Sequence, residues 1–187
     1  MNYNAISIQQ MLAQIDSYID KNFPVQEVSQ FLKTHPLQPS VLEHYTFFNN
    51  SHYTRNLIHK CNDYELLAVC WKPGQIAPVH GHEGEKCWAR VESGKLRICD
   101  FKLKNSTMPL QIKKTSDIIG EAGYLDGPAD IHQVENPFDE DAISLHLYTK
   151  PFNECEIFNL ETGTKDRVSL SYYSKFGAPC KTCNSLK

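Results

Sequence analysis

The chain has 187 residues, 41% of them hydrophobic and 22% charged, and its formal net charge of −3 at pH 7 is ordinary for a soluble globular protein. It has no cluster of lysine and arginine, no apolar run of the roughly 18 residues that a membrane span needs, and no signal-peptide pattern at its N-terminus. These features give no reason to expect nucleic acid or a membrane as a partner, and we expect a cytoplasmic monomer.

Two amphipathic helices are predicted at the start of the chain. The first covers Ser7–Phe23, where apolar residues recur at spacings of three and four, and it ends before Pro24. The second is shorter and covers Val25–Leu32. Neither helix contains a reactive group of residues, so we assign this helical part, residues 1–40, to packing.

The rest of the chain is typical of β-structure, with short runs rich in β-branched and aromatic residues separated by turn signals. Many short strands without helices between them predict an antiparallel sandwich or barrel such as a jelly roll. We therefore expect one domain over residues 1–187 that is mainly β, with the barrel over residues 45–176. The predicted strands are Tyr53–His59, Tyr64–Trp71, Cys87–Val91, Lys95–Leu103, Gln111–Lys114, Ile131–Val134, Ala142–Tyr148, Glu156–Asn159 and Arg167–Tyr173, and the tail from Gly177 to Lys187 is expected to be loosely tethered.

Three histidines in strand-like contexts suggest a metal site. His80 and His82 are two residues apart, and residues i and i+2 of a strand point to the same face, so both imidazoles can reach one point. His132 offers a third imidazole about fifty residues later. A His-x-His pair also occurs on solvated strand edges, so the pair alone leaves both interpretations open.

A second group of polar residues follows one face of a later strand. Ser144, His146 and Tyr148 alternate with leucines, and this line is not a hydrolase triad because all three residues come from one strand. They have a simpler interpretation as one polar sheet face. Taken alone, Arg55 is equally consistent with an ion-paired surface residue, and Cys87 with an inert buried thiol.

The seven cysteines favour reduced thiols, because their number is odd and an export signal is missing. Cys180 and Cys183 have the Cys-x-x-Cys spacing of redox or zinc sites. No second pair or paired histidines accompany them, and we interpret this spacing as incidental.

The spacing around the first histidines resembles the first motif of the cupin superfamily: Gly74, five residues, His80-x-His82, four residues, Cys87, six residues, Gly94. His132, followed after three residues by Asn136, resembles the end of the second cupin motif. The resemblance implies a small β-barrel with a metal at its mouth, held by His80, His82 and His132.

Most cupins have glutamate where this chain has Cys87, so the usual carboxylate ligand is missing. Glu83 or Glu85 would be a substitute at a different offset. Three neutral imidazoles leave the full +2 charge on a divalent ion, which suits iron(II) binding a thiolate and oxygen, and equally zinc binding a water.

Four segments together resemble a closer family, the cysteine dioxygenases of the mammalian type. These are Cys87 itself, Tyr53-Thr54-Arg55-Asn56-Leu57, Ser144-Leu145-His146-Leu147-Tyr148 and Ser174-Lys175-Phe176-Gly177. The similarity runs from about Tyr53 to Gly177, with the segments in the family's order.

The resemblance implies a role for each matching residue. His80, His82 and His132 correspond to the iron ligands, and Arg55, with Tyr53 beside it, corresponds to the arginine that holds the substrate carboxylate. Tyr148 corresponds to the active-site tyrosine and Cys87 to the cysteine that becomes thioether-linked to it in many members. Ser144 and His146 match the pair that orients the tyrosine hydroxyl, and the residues that fall where the family lines its pocket are Trp71, Cys155 and Leu170.

The activity that the resemblance implies is iron(II)-dependent oxidation of L-cysteine by O₂ to cysteine sulfinate. The alternatives are a dioxygenase of 3-mercaptopropionate, a non-catalytic metal-binding cupin, and a zinc cupin of isomerase or hydrolase type. Arg55 argues against the first alternative, because the residue at its position in that sister family is typically not arginine.

The chain departs from the family pattern after Tyr148. Lys150 stands where the family has the first of two consecutive prolines. A cis peptide before a non-proline residue costs about 3 kcal/mol, so we expect the bond between Thr149 and Lys150 to be trans. Leu170 replaces a methionine, a change that conserves volume.

Overall fold

The computed structural model describes residues 4–128 and 130–180. Within these residues the helices are α1 (Ile8–Asp16), α2 (Val25–Thr34) and α3 (Pro39–His44), and all of them precede the strands. The strands are β1 (Thr54–Lys60), β2 (Tyr64–Trp71), β3 (His80–Gly81), β4 (Cys87–Ser93), β5 (Lys95–Leu103), β6 (Ile112–Glu121), β7 (Leu125–Asp126), β8 (Ile131–Glu135), β9 (Ala142–Thr149), β10 (Glu154–Phe158), β11 (Lys165–Ser169), β12 (Ser174–Lys175) and β13 (Ala178–Pro179).

The strands form two sheets that face each other across an apolar interior. One sheet has the order β13-β12-β1-β2-β9-β4-β7, and the other has the order β11-β10-β3-β8-β5-β6. Leu67 and Trp71 of the first sheet share one buried cluster with Ile98 and Val134 of the second. The predicted fold class, a mainly β cupin barrel with short N-terminal helices, is confirmed.

Strand β2 is buried on both of its faces. Leu66 and Ala68 point outward and pack in the cluster that contains the helices. Leu67, Val69 and Trp71 point into the barrel. Because side chains alternate between the faces of a strand, burial on both faces explains why β2 is apolar at almost every position.

The outer face of the first sheet is covered by the N-terminal helices. Met11 and Ile15 of α1 are fully buried together with Leu147 of β9, and the Trp88 indole of β4 donates a hydrogen bond of 2.9 Å to Ser29 of α2. This layer fixes the outward-facing residues of β4 and β9. It thereby fixes which residues of the same strands point into the barrel.

Helix α1 begins as predicted but ends earlier. Ser7 caps it in a capping box with Gln10, as its position suggested. The helix stops at Asp16, and the prediction to Phe23 is wrong because the backbone reverses, with the Phe23 amide donating to the Tyr18 carbonyl at 2.9 Å. Both aromatic side chains still reach the helix core, and this extended the apolar pattern beyond the true helix.

Other differences lie where elements are short or exposed. Helix α3 was not predicted, although Pro39 is well placed at its first turn. Strand β6 reaches Glu121 instead of Lys114, because its exposed residues carry little apolar pattern. β11 ends at Ser169, before the predicted Tyr173. Part of the tail is paired, since β13 is antiparallel to β12.

Two further observations concern possible membrane spans and the cysteines. Among the described residues, no helix combines the length and the apolar character needed to cross a membrane. The cysteines that the structure describes all carry free thiols, and Cys183 lies outside the described residues.

Replacing Leu147 by alanine tests the packing of the helices on β9. Leu147 is 1% exposed, and a buried Leu→Ala change costs about 3 kcal/mol of unfolding free energy. We expect this loss in urea denaturation. Leu160→Ala is the control, because Leu160 is 49% exposed and its truncation changes the unfolding free energy by less than about 0.5 kcal/mol. Equal losses in both variants would contradict the assigned layer.

Candidate metal centre and substrate pocket

The three predicted histidines meet at one point of the barrel. His80 on β3 pairs directly with His132 on β8, and His82 follows two residues after His80. A ring nitrogen from each lies within 4.8 Å of the other two, and the rings of His82 and His132 are fully buried. The structure thus brings together the residues that the sequence suggested as metal ligands.

The donor set fits a divalent metal. His132 Nδ1 lies 3.2 Å from an Asp126 carboxylate oxygen, and His80 Nδ1 lies 2.9 Å from the Pro78 carbonyl oxygen. Each contact holds the proton on Nδ1 and leaves the lone pair on Nε2, and the buried Nε2 of His132 has no hydrogen-bond partner. Burial and the neighbouring His132 lower the pKa of His80 to about 3, so this imidazole is neutral, as a ligand must be.

The two glutamates considered as substitute ligands are engaged elsewhere. Glu83 forms an ion pair of 2.7 Å with Arg167, and Glu85 lies 3.5 Å from the ammonium of Lys150. Asp100, Asp126 and His132 form a second cluster of possible metal ligands. In this cluster the Asp126 carboxylate contacts Nδ1 of His132, and not Nε2, which carries the lone pair. The triad of histidines is therefore the better candidate for the metal.

A cavity of about 50 Å³ opens beside the histidines. Because a single water needs a cavity of only about 10–15 Å³, this cavity has room for a small molecule. Its walls combine apolar side chains with a few polar groups, which is usual for small-molecule sites. The residues predicted from the sequence that line it are Tyr53, Arg55, Trp71, His80, His132, His146, Tyr148, Cys155 and Leu170.

A hydrogen-bonded line runs along the inner face of β9. The Trp71 indole donates to Ser144 Oγ at 2.9 Å, Ser144 Oγ lies 2.8 Å from His146 Nε2, and His146 Nδ1 lies 3.0 Å from the Tyr148 hydroxyl. Burial lowers the pKa of His146 well below its usual value, so the imidazole carries one proton. If Ser144 donates to Nε2, Nδ1 donates to the Tyr148 oxygen, and the Tyr148 proton points away from His146.

Cys87 and Tyr148 are direct neighbours across β4 and β9. Burial raises the pKa of both the Cys87 thiol and the Tyr148 phenol, and the negative charge of Asp126 raises the pKa of Cys87 further. Both groups therefore remain protonated at neutral pH. The pairing puts a thiol beside a phenol ring, as the resemblance implied.

Arg55 projects from β1 into the cavity, where it is held by Glu65. Arg55 Nη2 donates to Glu65 Oε1 at 3.1 Å, and the exposed fractions of the two side chains are 10% and 0%. Tyr53 stacks on Trp71 with ring centroids 4.7 Å apart. The Arg55 guanidinium has N–H groups besides the one that donates to Glu65, and it lies beside an aromatic wall.

The segment after β9 packs against the site. The bond between Thr149 and Lys150 is trans, since the cis peptides among the described residues precede Pro109 and Pro128. Lys150 has a φ of 71°, and its amide donates to the Asp63 carbonyl at 2.7 Å. The ring of Phe152 then lies edge-on to Tyr148, with centroids 5.1 Å apart.

Four residues of the site were not predicted. Glu65 could have been identified from the sequence, since a single charged residue in an apolar strand must have a partner when the strand is buried. Asp126 stands before Gly127-Pro128, a pattern that predicts a turn and gives no sign of a functional role. Tyr172 and Phe152 carried no local signal, because their contacts depend on how distant segments fold together.

Comparisons with known proteins point to one family. The family model for cysteine dioxygenase type I matches residues 2–161. A human protein named cysteine dioxygenase type 1 is 31% identical over 169 residues, which cover 87% of this chain and 84% of that protein. A rat protein of the same name is 32% identical over 169 residues, with the same shares of both chains covered.

Solved structures give more distant similarities. The structure of a Thermus thermophilus protein has a TM-score of 0.47 and 17% identity, and the match covers 58% of this chain and 93% of that one. An RmlC-like cupin protein from Desulfovibrio desulfuricans has a TM-score of 0.43 and 17% identity, with 57% and 91% covered.

Replacing His132 by alanine tests the metal centre. We expect the variant to bind a divalent metal at least about 100-fold more weakly, because a ligand and its contact with Asp126 are both lost. The measurement is the metal content per chain after anaerobic loading with iron(II), and separately after loading with zinc, followed by gel filtration. His52→Ala is the control, since His52 packs against Tyr173 outside the triad. Unchanged metal content in His132→Ala would contradict the assignment.

Proposed function

Because the chain belongs to the cysteine dioxygenase type I family, we propose that it oxidises L-cysteine with O₂ to cysteine sulfinate at an iron(II) ion. The observation that carries the proposal is the position of Arg55, which lines the same small cavity as His80 and His132, two of the three histidines of the triad. A metal ligand set and a carboxylate-binding group thus face one space. Both oxygen atoms of O₂ are transferred to the cysteine sulfur, so the reaction balances without an added reductant.

His80, His82 and His132 would hold the ion. When bound, iron(II) supplies coordination sites for a thiolate and for O₂, and three neutral ligands keep its full positive charge available to attract the thiolate. The Nδ1 contacts of His80 and His132 keep their rings oriented for this task. Zinc fits the same ligand set, so the choice of iron rests on the family.

Arg55 would bind the substrate carboxylate. A guanidinium presents a planar fork of donors that can form two parallel hydrogen bonds to a carboxylate. Nη2 carries two hydrogens, so its bond to Glu65 leaves an edge of the fork available. The aromatic wall of Tyr53 and Trp71 and the thiol of Cys155 complete a pocket that suits a short substrate.

Tyr148 would act as a hydrogen-bond donor toward the substrate and oxygen. The raised pKa of Tyr148 keeps its hydroxyl protonated. When Ser144 donates to Nε2 of His146, Nδ1 of His146 donates to the phenol oxygen. The hydroxyl proton is then directed away from His146. This fixed orientation reduces the cost of placing the donor when the substrate binds.

Replacing Arg55 by lysine tests the assigned substrate. Lysine keeps a positive charge near the buried Glu65 but loses the fork, so we expect the KM for L-cysteine to rise by about tenfold or more. The measurement is O₂ uptake by iron(II)-loaded protein, with the product identified by mass. Arg97→Lys is the control, because Arg97 pairs with Asp117 and Glu135 on the outside of the second sheet.

The same assay separates the alternatives. Uptake with 3-mercaptopropionate and none with L-cysteine would favour the sister dioxygenase and overturn the role of Arg55. No uptake with either thiol would favour a binding module, and activity that needs zinc would favour an isomerase or hydrolase.

We also propose that Cys87 and Tyr148 become linked by a thioether. Forming the carbon–sulfur bond removes one hydrogen from the thiol and one from the ring, and O₂ accepts both protons and both electrons and becomes hydrogen peroxide. The direct cross-strand pairing of the residues supports this proposal.

Peptide mapping tests the link. After repeated turnover, we expect a fraction of the protein to yield a joined peptide that is lighter than its two parts by two hydrogen atoms. Cys87→Ser lacks the thiol and must never yield this species, whereas Cys99→Ser, altered on the opposite sheet, must still yield it. A joined peptide that is absent from the wild-type protein after turnover would contradict the proposal.

A further inference from the structure

Glu65 is a buried charged residue in an otherwise apolar strand. Its side chain has no exposed surface, and the register places it opposite Lys60 on one side and Tyr148 on the other. It therefore lies on the inner face of the barrel, in the row that leads to the active-site tyrosine. A carboxylate in this position is tolerated only if both of its oxygens have partners.

Both oxygens of Glu65 have partners. Oε1 accepts from Arg55 Nη2 at 3.1 Å, and Oε2 accepts from the Tyr172 hydroxyl. The Lys60 ammonium lies 3.7 Å from Oε2 and donates to the Tyr172 oxygen at 2.9 Å. The four side chains thus form one connected network from the half-buried Lys60 to the cavity.

The network restrains the guanidinium in two directions. Glu65 binds one of its nitrogens, and the ring of Tyr172 lies under its central carbon, with 5.3 Å between that carbon and the ring centroid. A long arginine side chain otherwise loses rotational freedom when it binds a ligand. Here part of this loss occurs on folding, before any substrate arrives.

We propose that Glu65 is a positioning residue, which together with Tyr172 fixes the Arg55 guanidinium for the carboxylate of the substrate. This inference rests on the proposed role of Arg55. It makes Glu65 a determinant of specificity, because a thiol without a carboxylate gains nothing from a fixed guanidinium. Glu65 itself does not contact the substrate.

Binding measurements with Glu65→Gln test the proposal. The amide keeps the shape of the side chain and removes its charge. For iron(II)-loaded protein without oxygen, we expect the dissociation constant of L-cysteine, measured by calorimetry, to rise about tenfold, which corresponds to about 1.4 kcal/mol. The dissociation constant of cysteamine, which lacks the carboxylate, should change by less than about twofold. Equal weakening of both thiols, or no change with L-cysteine, would overturn the proposal.

A double-mutant cycle with Arg55→Lys gives the decisive comparison, and it needs L-cysteine alone. If Glu65 acts through Arg55, adding Glu65→Gln to Arg55→Lys should weaken cysteine binding by less than about twofold. If the effects of the two substitutions on the L-cysteine dissociation constant multiply, Glu65 acts independently of Arg55, and the proposal is overturned. Thermal unfolding of each variant shows that it is folded, and Glu121→Gln, at an exposed ion pair with Lys95, is the matched control.

Tyr172→Phe gives a second variant. It keeps the ring beneath Arg55 and removes the hydroxyl that joins Lys60 to Glu65, so we expect a smaller rise in the L-cysteine dissociation constant, about threefold. If Tyr172→Phe raised the L-cysteine dissociation constant more than Glu65→Gln does, it would contradict the assigned network, in which the Tyr172 hydroxyl reaches Arg55 through Glu65. Failure of the proposed function can be distinguished from failure of this inference. Wild-type protein that binds L-cysteine but forms no sulfinate is not a dioxygenase. The double-mutant cycle would still measure the coupling of Glu65 to Arg55 in that protein.

Discussion

The structure depends on strands that are buried on both faces. In β9, Leu145 and Leu147 pack outward against the helices, so the residues that alternate with them must point into the barrel. Ser144, His146 and Tyr148 are polar, and an unpaired polar group in such an interior is costly. They pair with one another and with Trp71, and this requirement produces an oriented tyrosine beside the histidines.

The same constraint explains the charges at the other side of the cavity. Arg55 and Glu65 are both nearly inaccessible, and neither would be stable there without the other. Arg55 lowers the pKa of Tyr148, whereas Glu65 raises it, so the pair partly cancels its own effect on the tyrosine. Stability of the barrel and preparation of the site are therefore two consequences of one set of contacts.

Much of the site could be predicted because its residues come from short, well-defined motifs. His80 and His82 stand two residues apart, in β3 and directly after it, and Ser144, His146 and Tyr148 alternate along β9. The barrel was also predictable, since the long strands carry clear apolar patterns. The metal triad needed the resemblance as well, because spacing alone does not bring His132 next to His80.

The remaining features depend on tertiary contacts that no local pattern reveals. The end of α1 was misplaced because Tyr18 and Phe23 continue its apolar face after the backbone has turned. Asp126 gains its role only when β7 brings it to His132, and Tyr172 gains its role only when the segment after β11 returns to β1. Glu65 was visible as a single charge in an apolar strand, but its partner was not.

The most direct test of this account is a crystal structure of the iron(II)-loaded protein with L-cysteine, prepared without oxygen. The account predicts iron on Nε2 of His80, His82 and His132, the cysteine sulfur on the iron, and the carboxylate on Arg55. Iron bound by Asp100, Asp126 and His132, or a cysteine carboxylate that does not contact Arg55, would contradict it.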